Sequence, residues 1–269
     1  MSPKIKFKTV KSFCTIGIDV GSRTTKGILW DGEKVVYREL IATGWSPSDA
    51  AAKIYADINS SFDSMVVKAV SATGFARKQV GFASENVTEI TAHAAGIGFL
   101  LPEIRTLIDV GGQDSKVILL GENGMVADFA MNDRCSAGSG RFLEYLALSM
   151  GVTIDEFAQL GLKASRGVTL SSICTVFAES EMLSLLAEGA SRNEVARGIH
   201  RAIARRIAQL AAPLNPIASF GLSGGGAYNT CLKEELESIL GQPIVSPEFP
   251  EYAGALGAAI LAGRKQSHP

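Results

Sequence analysis

Two stretches of the sequence place an aspartate, a glycine turn, a hydroxyl side chain and a lysine in the same order. Residues 18–26 read IDVGSRTTK and residues 108–116 read IDVGGQDSK, and in both the lysine lies seven positions after the aspartate. Glycines that directly follow a buried strand let backbone N–H groups approach a phosphate, and nearby hydroxyls add donors. A carboxylate at the strand end can hold Mg²⁺ through water. The pattern therefore predicts a phosphate and Mg²⁺ site with Asp19 and Asp109 as its catalytic carboxylates.

The predicted nucleotide contacts come from three turns. Neither stretch has the GxxxxGK[ST] pattern, and a single glycine turn after a strand is usually only a turn. Duplication of a whole strand–turn–strand unit favours phosphate binding, and a third glycine-rich loop over 221–229 suits the adenosine end of a nucleotide. We expect the cofactor contacts to come from Gly21, Ser22, Thr24, Thr25, Lys26, Gly111, Gly112, Gln113, Asp114, Gly224, Gly225, Gly226 and Asn229.

Two of the four cysteines directly precede predicted helices: Cys135 in NDRCSAGSG and Cys174 in SSICT. A helix N-terminus favours a thiolate and the negative charge of a metal–sulfur cluster. A cubane cluster usually has four thiolate ligands, which a two-fold dimer would supply from two chains. Buried free cysteines are the commoner case, so ligand and core interpretations both stay open on spacing alone. Cys14, in a predicted strand, and Cys231, on a helix face, are expected to be core residues.

The elements that must position these residues alternate along the chain. The duplication predicts two related halves around a common cleft, with residues 1–100 as the first half and 101–269 as the second. The C-terminal helix is a candidate to pack on the first half. The apolar patterns predict strands over 13–20, 25–30, 34–41, 65–71 and 217–222, and helices over 46–60, 92–100, 139–150, 176–188, 191–212 and 252–262.

Composition narrows the function classes. The net charge of −1 gives no indication of electrostatic binding to nucleic acid or to an anionic membrane. No apolar stretch approaches the roughly 20 residues of a membrane span. The basic residues from Lys4 to Lys11 are not followed by an apolar segment long enough to be the hydrophobic region of a signal peptide. Dispersed cysteines and only three histidines argue against disulfides and a zinc site within one chain. We expect a soluble cytoplasmic protein.

Six segments together resemble the activator ATPases of 2-hydroxyacyl-CoA dehydratases, which are related to the ATPase subunits of benzoyl-CoA reductase. Three of them, IDVGSRTTK, IDVGGQDSKVI and GLSGGGAYN, are typical of the wider superfamily of sugar and acetate kinases, actin and heat-shock ATPases. MNDRCSAGSGRFLE and SSICTVFAESE are typical of the activators themselves, and YAGALGAA completes the set. The resemblance covers nearly the whole chain from Phe13 onward. It implies an α/β fold of two ribonuclease-H-like (actin-like ATPase) halves around a nucleotide cleft.

The resemblance also implies a function. ATP/ADP and Mg²⁺ would bind in each subunit of a homodimer, and Cys135 and Cys174 of both chains would hold one oxygen-labile [4Fe–4S] cluster between them. ATP binding would rotate the helices that follow these cysteines. Hydrolysis would accompany transfer of a low-potential electron to a partner iron–sulfur dehydratase or reductase, with ferredoxin or flavodoxin as the electron donor.

Two alternatives share the nucleotide motifs. A small-molecule kinase of the sugar/acetate kinase superfamily would need neither Cys135 nor Cys174, but would need a base for its acceptor hydroxyl. A nucleotide-switched scaffold would have no enzymatic activity. An anaerobic visible spectrum, with iron at about four per dimer, would exclude both.

Other polar residues carry weaker signals. His93 and His200 fall in predicted helices and are interpreted as core or surface residues. Glu179 and Glu181 are interpreted as a solvated helix face, although their position after Cys174 permits a role in docking.

Overall fold

The computed structural model describes residues 13–62, 66–132, 139–170 and 175–267. The chain divides into two compact units, Met1–Gly96 with Tyr252–Pro269, and Ile97–Glu251. Within the described ranges, no helix combines the length and the apolar character that a membrane span requires.

The first unit is built on a five-stranded mixed sheet with the order β3-β2-β1-β4-β5. Short turns join the first three strands, so that β1 and β2, and β2 and β3, pair antiparallel. A crossover through helix α1 brings β4 parallel to β1, and β5 is parallel to β4. The elements are β1 (Phe13–Val20), β2 (Thr24–Trp30), β3 (Val35–Ala42), α1 (Pro47–Ser61), β4 (Val66–Thr73), β5 (Glu85–Asn86) and the greater part of α2 (Glu89–Leu100), whose last four residues are assigned to the second unit.

Side chains of β1 alternate between two helices. Ile16 and Ile18 point into the core that α1 covers, and α1 begins where the Ser46 hydroxyl accepts from the backbone N–H of Asp49. The opposite face packs on α8 (Ala253–Ser267). A Cβ on Gly17 would lie 1.9 Å from the carbonyl oxygen of Ala255, so only glycine permits this approach of helix and strand. The β1 carboxyl end and its Asp19 are thereby held at the first turn of α8.

The second unit repeats the same sheet. Its order is β8-β7-β6-β9-β10, with β6–β7 and β7–β8 antiparallel and β9 and β10 parallel to the central strand. Central strand, hairpin partners and parallel neighbours thus follow the arrangement of the first sheet, which confirms the predicted α/β fold class of two related sheets. The strands are β6 (Thr106–Val110), β7 (Ser115–Leu120), β8 (Val126–Asn132), β9 (Phe220–Ser223) and β10 (Ile244–Val245).

Helices of the second unit assemble around α6, which packs against α4 and α7. Capping boxes begin two of them: Thr153 with Glu156 for α4, and Ser191 with Glu194 for α6. Each box satisfies two backbone donors that a helix start would otherwise leave unpaired. The helices are α3 (Gly140–Ser149), α4 (Ile154–Leu162), α5 (Thr175–Ala187), α6 (Arg192–Ala211) and α7 (Thr230–Leu240).

Several predicted boundaries differ from the structure. The strand predicted from Ile217 begins only at Phe220, because Ser219 (φ 75°) and Asn215 (φ 51°) adopt left-handed turn conformations. Helix α4 and the two-residue strands β5 and β10 were not predicted. The basic start of the chain lies outside the described residues.

Candidate functional site

Each repeated aspartate lies directly opposite its lysine across a strand pair. Asp19 pairs in register with Lys26 on β2, and Asp109 pairs with Lys116 on β7. The lysine Nζ is 3.5 Å from Asp19 Oδ2 in the first unit and 3.4 Å from Asp109 Oδ2 in the second. The seven-residue spacing in the sequence is therefore the spacing of cross-strand neighbours around a short turn.

The two turns share one backbone arrangement. The N–H of Gly21 donates to the carbonyl of Thr24 at 3.1 Å, and the N–H of Gly111 donates to that of Asp114 at 2.9 Å. A Cβ on Gly21 would lie 2.9 Å from the Thr24 carbonyl oxygen, so the turn requires glycine here. Residues 21–24 and 111–114 are partly or fully exposed, and the residue that follows each turn is buried. Ser22, Gly112 and Gln113 are thus accessible to a phosphate.

Thr25 stabilises the first glycine turn through a chain of two hydrogen bonds. Its buried hydroxyl lies 2.9 Å from the Thr43 hydroxyl, which itself donates to the carbonyl of Gly21 at 2.7 Å. Because the Thr43 proton goes to Gly21, Thr25 is the donor to Thr43. Thr43, at the end of β3, was not predicted, since nothing near it in sequence marks it as a partner of this turn. Thr24, in contrast, keeps a partly exposed side chain.

Two glycines lie close to the Asp19 carboxylate. A Cβ on Gly74, which has φ +93°, would lie 2.5 Å from Asp19 Oδ1, and one on Gly254 would lie 3.2 Å from Oδ2. Thr73, in register with Asp19 on β4, and Ser71 have buried hydroxyls without a hydrogen-bond partner among the described residues. Buried hydroxyls normally find partners. A carboxylate in register with an unsatisfied hydroxyl, as Asp19 is with Thr73, fits a hydrated Mg²⁺, whose retained waters can donate to that hydroxyl.

Asp109 is more fully engaged than Asp19. The Ser223 hydroxyl donates to its Oδ1 at 2.7 Å, and Lys116 lies at its Oδ2. Lys116 also donates to Asp114 Oδ1 at 2.7 Å. Thr24 stands at the position of Asp114 in the first turn, so Lys26 lacks this second carboxylate. The Lys116 side chain is 2% exposed and that of Lys26 is 14% exposed. The repeat is therefore chemically asymmetric, with the tighter ion-pair cluster in the second unit.

The third predicted loop crosses the end of β6. Gly224, with φ +79°, lies so close that a Cβ would be 2.4 Å from the carbonyl oxygen of Val110 and 2.9 Å from Asp109 Oδ1. Gly226 approaches the Val110 side chain in the same way, whereas a Cβ on Gly225 would meet nothing within 4 Å. Gly225 is the exposed glycine of the loop.

Asn229 anchors the end of this loop. Its Oδ1 accepts from the N–H of Leu232 at 2.9 Å and so caps α7, and its Nδ2 lies 3.0 Å from His200 Nε2. His200 Nδ1 is 2.7 Å from the Ala196 carbonyl, so the ring is the neutral Nδ1–H form, accepting from Asn229. Burial lowers the pKa of His200 to about 4. His200 is thus a satisfied core residue, as expected from its helical position.

Cys135 and Cys174 both lie outside the described residues. The residues on either side of the segment 133–138, however, contact the second turn. Asn132 pairs in register with Ser115. The N–H of Gly140 donates to Gly111 at 2.9 Å, and that of Arg141 donates to Gly112 at 3.0 Å.

The helices that follow the two cysteines are tied by Glu179. On α5, its Oε1 accepts from the Ser149 hydroxyl of α3 at 2.6 Å, and its Oε2 accepts from the Tyr145 hydroxyl. Hydrogen bonds from Ser149 and Tyr145 lower the pKa of Glu179, and the bond to Glu179 raises the pKa of Tyr145. Glu179 was interpreted from sequence as a solvated face residue. Glu179 is partly exposed, in keeping with that interpretation, and the structure adds a link from α5 to α3 that the sequence did not indicate.

The remaining cysteines are buried thiols. Burial, with a smaller effect of Asp31, raises the pKa of Cys14 to about 11, and burial with Glu235 raises that of Cys231 to about 12. Both are free cysteines. Over the described ranges, no three His, Cys, Asp or Glu side chains come together as a metal site.

Two mixed sheets of the same order, each with an Asp–Lys pair and a glycine turn at its central strand, are typical of the actin-like ATPase fold class. The sequence pattern of the BadF/BadG/BcrA/BcrD ATPase family matches residues 16–262, and the chain belongs to this family.

Characterised relatives span nearly the whole chain. The (R)-2-hydroxyglutaryl-CoA dehydratase activating ATPase of Acidaminococcus fermentans is 40% identical over 257 residues, covering 94% of this chain and 98% of that protein. The crystal structure of the Acidaminococcus fermentans (R)-2-hydroxyglutaryl-CoA dehydratase component A is similar with a TM-score of 0.89 and 38% identity, covering 95% and 100% of the two chains. The activator of the 2-hydroxyisocaproyl-CoA dehydratase from Clostridium difficile, with bound ADPNP, gives a TM-score of 0.86 and 34% identity, covering 95% and 98%. These findings confirm the family predicted from the motifs.

Proposed function

We propose that the protein is an ATP-hydrolysing activator that passes a low-potential electron to a partner iron–sulfur enzyme such as a 2-hydroxyacyl-CoA dehydratase. Its family is one of ATPases, and the relatives above are activators of CoA-ester dehydratases, one of them with ADPNP bound. In this proposal the protein is a cytoplasmic homodimer with one [4Fe–4S] cluster, and ferredoxin or flavodoxin supplies the electron.

The nucleotide part rests on the two glycine turns and their carboxylates. Exposed backbone at residues 21–24 and 111–114 would contact the phosphates of ATP, with the Ser22 and Thr24 side chains as further donors. Asp19 would hold Mg²⁺ through water, because it lies in register with Thr73, whose buried hydroxyl has no hydrogen-bond partner among the described residues. Asp109 would act together with Lys116, which keeps a positive charge at the second turn.

The proposal of a cluster rests on which cysteines of the chain can act as thiolate ligands. Cys135 and Cys174 would hold the cluster, two thiolates from each copy. The other two cysteines are unsuited, since burial raises the pKa values of Cys14 and Cys231 to about 11 and about 12 and keeps both as thiols. A bound [4Fe–4S] cluster supplies one-electron transfer at low potential.

The observation that carries the proposal is the contact of the second glycine turn with both flanks of the Cys135 segment. Ser115 pairs with Asn132 before it, and Gly111 and Gly112 accept from Gly140 and Arg141 after it. Because of these contacts, a ligand that moves the turn would also move both flanks of the Cys135 segment. A ligand shifts a conformational equilibrium only if it binds one conformation more tightly than the other, so ATP and ADP would have to differ in their affinity for the two positions of the turn. Glu179 would extend the shift from α3 to α5, because it accepts hydrogen bonds from α3. ATP binding would thereby change the environment of both cysteines.

Strictly anaerobic purification tests the proposal directly. We expect a brown protein with a broad absorbance that dithionite bleaches, iron at about four per dimer, and Mg²⁺-dependent ATP hydrolysis. A small-molecule kinase or a nucleotide-switched scaffold would contain no iron. A protein that remains free of iron after anaerobic reconstitution, while it phosphorylates a sugar or a carboxylic acid, would contradict the proposal and favour the kinase.

A further inference from the structure

A small basic cleft lies between α6 and the segment 167–170, which is neither helix nor strand. The segment runs along the helix: the N–H of Val168 donates to the Glu194 carbonyl, and a Cβ on Gly198 would lie 2.4 Å from the Val168 carbonyl oxygen. Glycines on both elements therefore bring the two backbones together. The cleft measures about 130 Å³, and its polar lining includes Thr169, Arg201, Arg205, Arg206 and Gln209.

Two arginines give this cleft its charge. Arg201 donates to the buried carboxylate of Glu235 at 2.7 Å, which neutralises it within the fold. Arg205, which is exposed, and Arg206, which is partly exposed, make no ion pair with any described residue. Residues 171–174, which follow the cleft segment, are Ser-Ser-Ile-Cys and contain no carboxylate that could pair with them. Within the part of the chain that the structure describes, these two positive charges are therefore uncompensated, although the net charge of the whole sequence is −1.

The dimensions of the cleft limit what it can bind. Sites that enclose a cofactor or metabolite usually measure about 300–1,000 Å³, so 130 Å³ is too small for a nucleotide or an acyl-CoA. It is large enough for carboxylate side chains that reach in from another protein. Arginine suits this recognition, because its planar guanidinium donates two parallel hydrogen bonds to a carboxylate.

The cleft lies close in sequence to Cys174, one of the proposed cluster ligands. Leu170 lines the cleft, and Cys174 is four residues further along the chain. Four residues span at most about 14 Å, so a protein docked at the cleft would lie close to Cys174.

We infer that the Arg205–Arg206 cleft is the docking site of an acidic electron-donor protein, an inference that rests on the proposed function. Charge complementarity with few apolar contacts is suited to brief redox encounters, which have small interfaces and fast, salt-dependent association. A longer-lived complex would instead use exposed apolar side chains such as Leu148 on α3 and Phe177 on α5, which are 75% and 65% exposed. The cleft is therefore assigned to the donor rather than to the enzyme that receives the electron.

The test compares cluster reduction in the wild-type holoprotein and in the Arg205→Glu/Arg206→Glu variant. Reduced flavodoxin is the acidic donor, and the methyl viologen radical is a small cationic reductant that needs no docking site. We expect the second-order rate constant with flavodoxin to fall at least about 10-fold at low ionic strength, and the difference to shrink at high salt. Reduction by methyl viologen and the rate of ATP hydrolysis should not fall.

The matched control is Lys163→Glu/Lys233→Glu, which changes the net charge equally at two lysines that do not line the cleft. It should retain the wild-type rate with flavodoxin. Equal slowing in both double variants, equal slowing with both reductants, or an unchanged rate with flavodoxin would overturn the inference. Dissociation of the Arg205→Glu/Arg206→Glu dimer in sedimentation would assign the cleft to contacts between copies, and would also overturn it. A wild-type protein without iron would overturn the proposed function instead.

Discussion

Glu179 on α5 accepts a hydrogen bond from Ser149 on α3 across 30 residues of sequence, with Oε1 2.6 Å from the serine hydroxyl. Its second oxygen accepts from Tyr145, one turn earlier on α3. The two helices begin after the segments that contain Cys135 and Cys174, so one carboxylate links the flanks of both proposed cluster ligands. Any rearrangement that moves the helices apart must break both hydrogen bonds.

Glu179→Ala should therefore weaken the link between α3 and α5. We expect iron extraction by a chelator to become several-fold faster, and the difference between ADP and ADPNP complexes to become smaller, with ATP hydrolysis retained. The pKa of Tyr145 should fall towards its ordinary value, because the bond to Glu179 raises it. Ultraviolet titration of the tyrosines measures this independently of the cluster. Glu188→Ala, at an exposed position beyond the end of α5, should behave as wild type; if it matched Glu179→Ala in both measurements, the link would not be specific.

The two repeated aspartates should differ in their effect on stability. Asp19→Asn and Asp109→Asn should each lower Mg²⁺-dependent ATP hydrolysis at least about 100-fold, because a Lewis-acid site contributes several kcal/mol. Asp109→Asn should also lower the free energy of unfolding by about 2 kcal/mol, since Lys116 is 2% exposed and loses one of two carboxylate partners, keeping Asp114. Asp19→Asn should cost less, because the Lys26 side chain is 14% exposed and water can solvate it.

Urea denaturation and steady-state ATPase assays on the same preparations measure both effects. Equal losses of stability would contradict the asymmetry between the two turns. Wild-type hydrolysis in both variants would remove the aspartates from the nucleotide site.

Local sequence patterns were sufficient to predict the glycine turns and the two related sheets. Aspartate, glycine and lysine lie within nine consecutive residues, and hairpin geometry alone places the lysine opposite the aspartate. Thr43, Thr73 and Gly74 could not be predicted as neighbours of the first turn or of Asp19, because long-range strand pairing brings them there. Their sequence surroundings resemble those of any other buried strand end.

Helix α4 could have been predicted from the sequence, because a capping-box pattern precedes it. Thr153 and Glu156 form the capping-box pattern directly before its apolar residues, and the structure shows both hydrogen bonds of the box. Strands β5 and β10, with two residues each, are too short for any alternation to appear. The role of Glu179 depends on how α3 packs against α5, and no pattern within α5 contains that information.

Stability should depend on pH through His200. Burial lowers its pKa to about 4 in the folded protein, below the ordinary value near 6.5, so the unfolded chain binds this proton more readily. The stabilisation is complete above about pH 6.5 and is lost as the pH falls towards 4, by at most on the order of 3 kcal/mol.

Thermal or urea unfolding of wild type and His200→Gln between pH 4 and 7 measures this effect. The slope of unfolding free energy against pH should be smaller in the variant, which cannot take up the proton. Parallel curves for the two proteins would show that His200 does not titrate in this range.

Two of the four cysteines should react readily with a thiol-alkylating reagent, and the other two should not. In the folded protein after iron chelation, iodoacetamide at pH 7.5 should modify Cys135 and Cys174 rapidly. Cys14 and Cys231 should react about 100-fold more slowly, because burial raises their pKa values to about 11 and about 12 and leaves little thiolate. Peptide mapping by mass spectrometry assigns each modified residue.

The corresponding variants connect this reactivity with the cluster. Cys135→Ala and Cys174→Ala should each abolish the [4Fe–4S] spectrum and weaken the dimer, because each substitution removes two of the four ligands from a site shared across a two-fold axis. Nucleotide binding should persist in both, since the glycine turns and their carboxylates are unchanged. Cys14→Ala and Cys231→Ala should keep the spectrum, at the cost of a small cavity in the core of each unit. If Cys14→Ala or Cys231→Ala lost the iron while Cys135→Ala and Cys174→Ala retained it, the ligand assignment would be wrong, and a buried thiol would have to be the ligand in spite of its raised pKa.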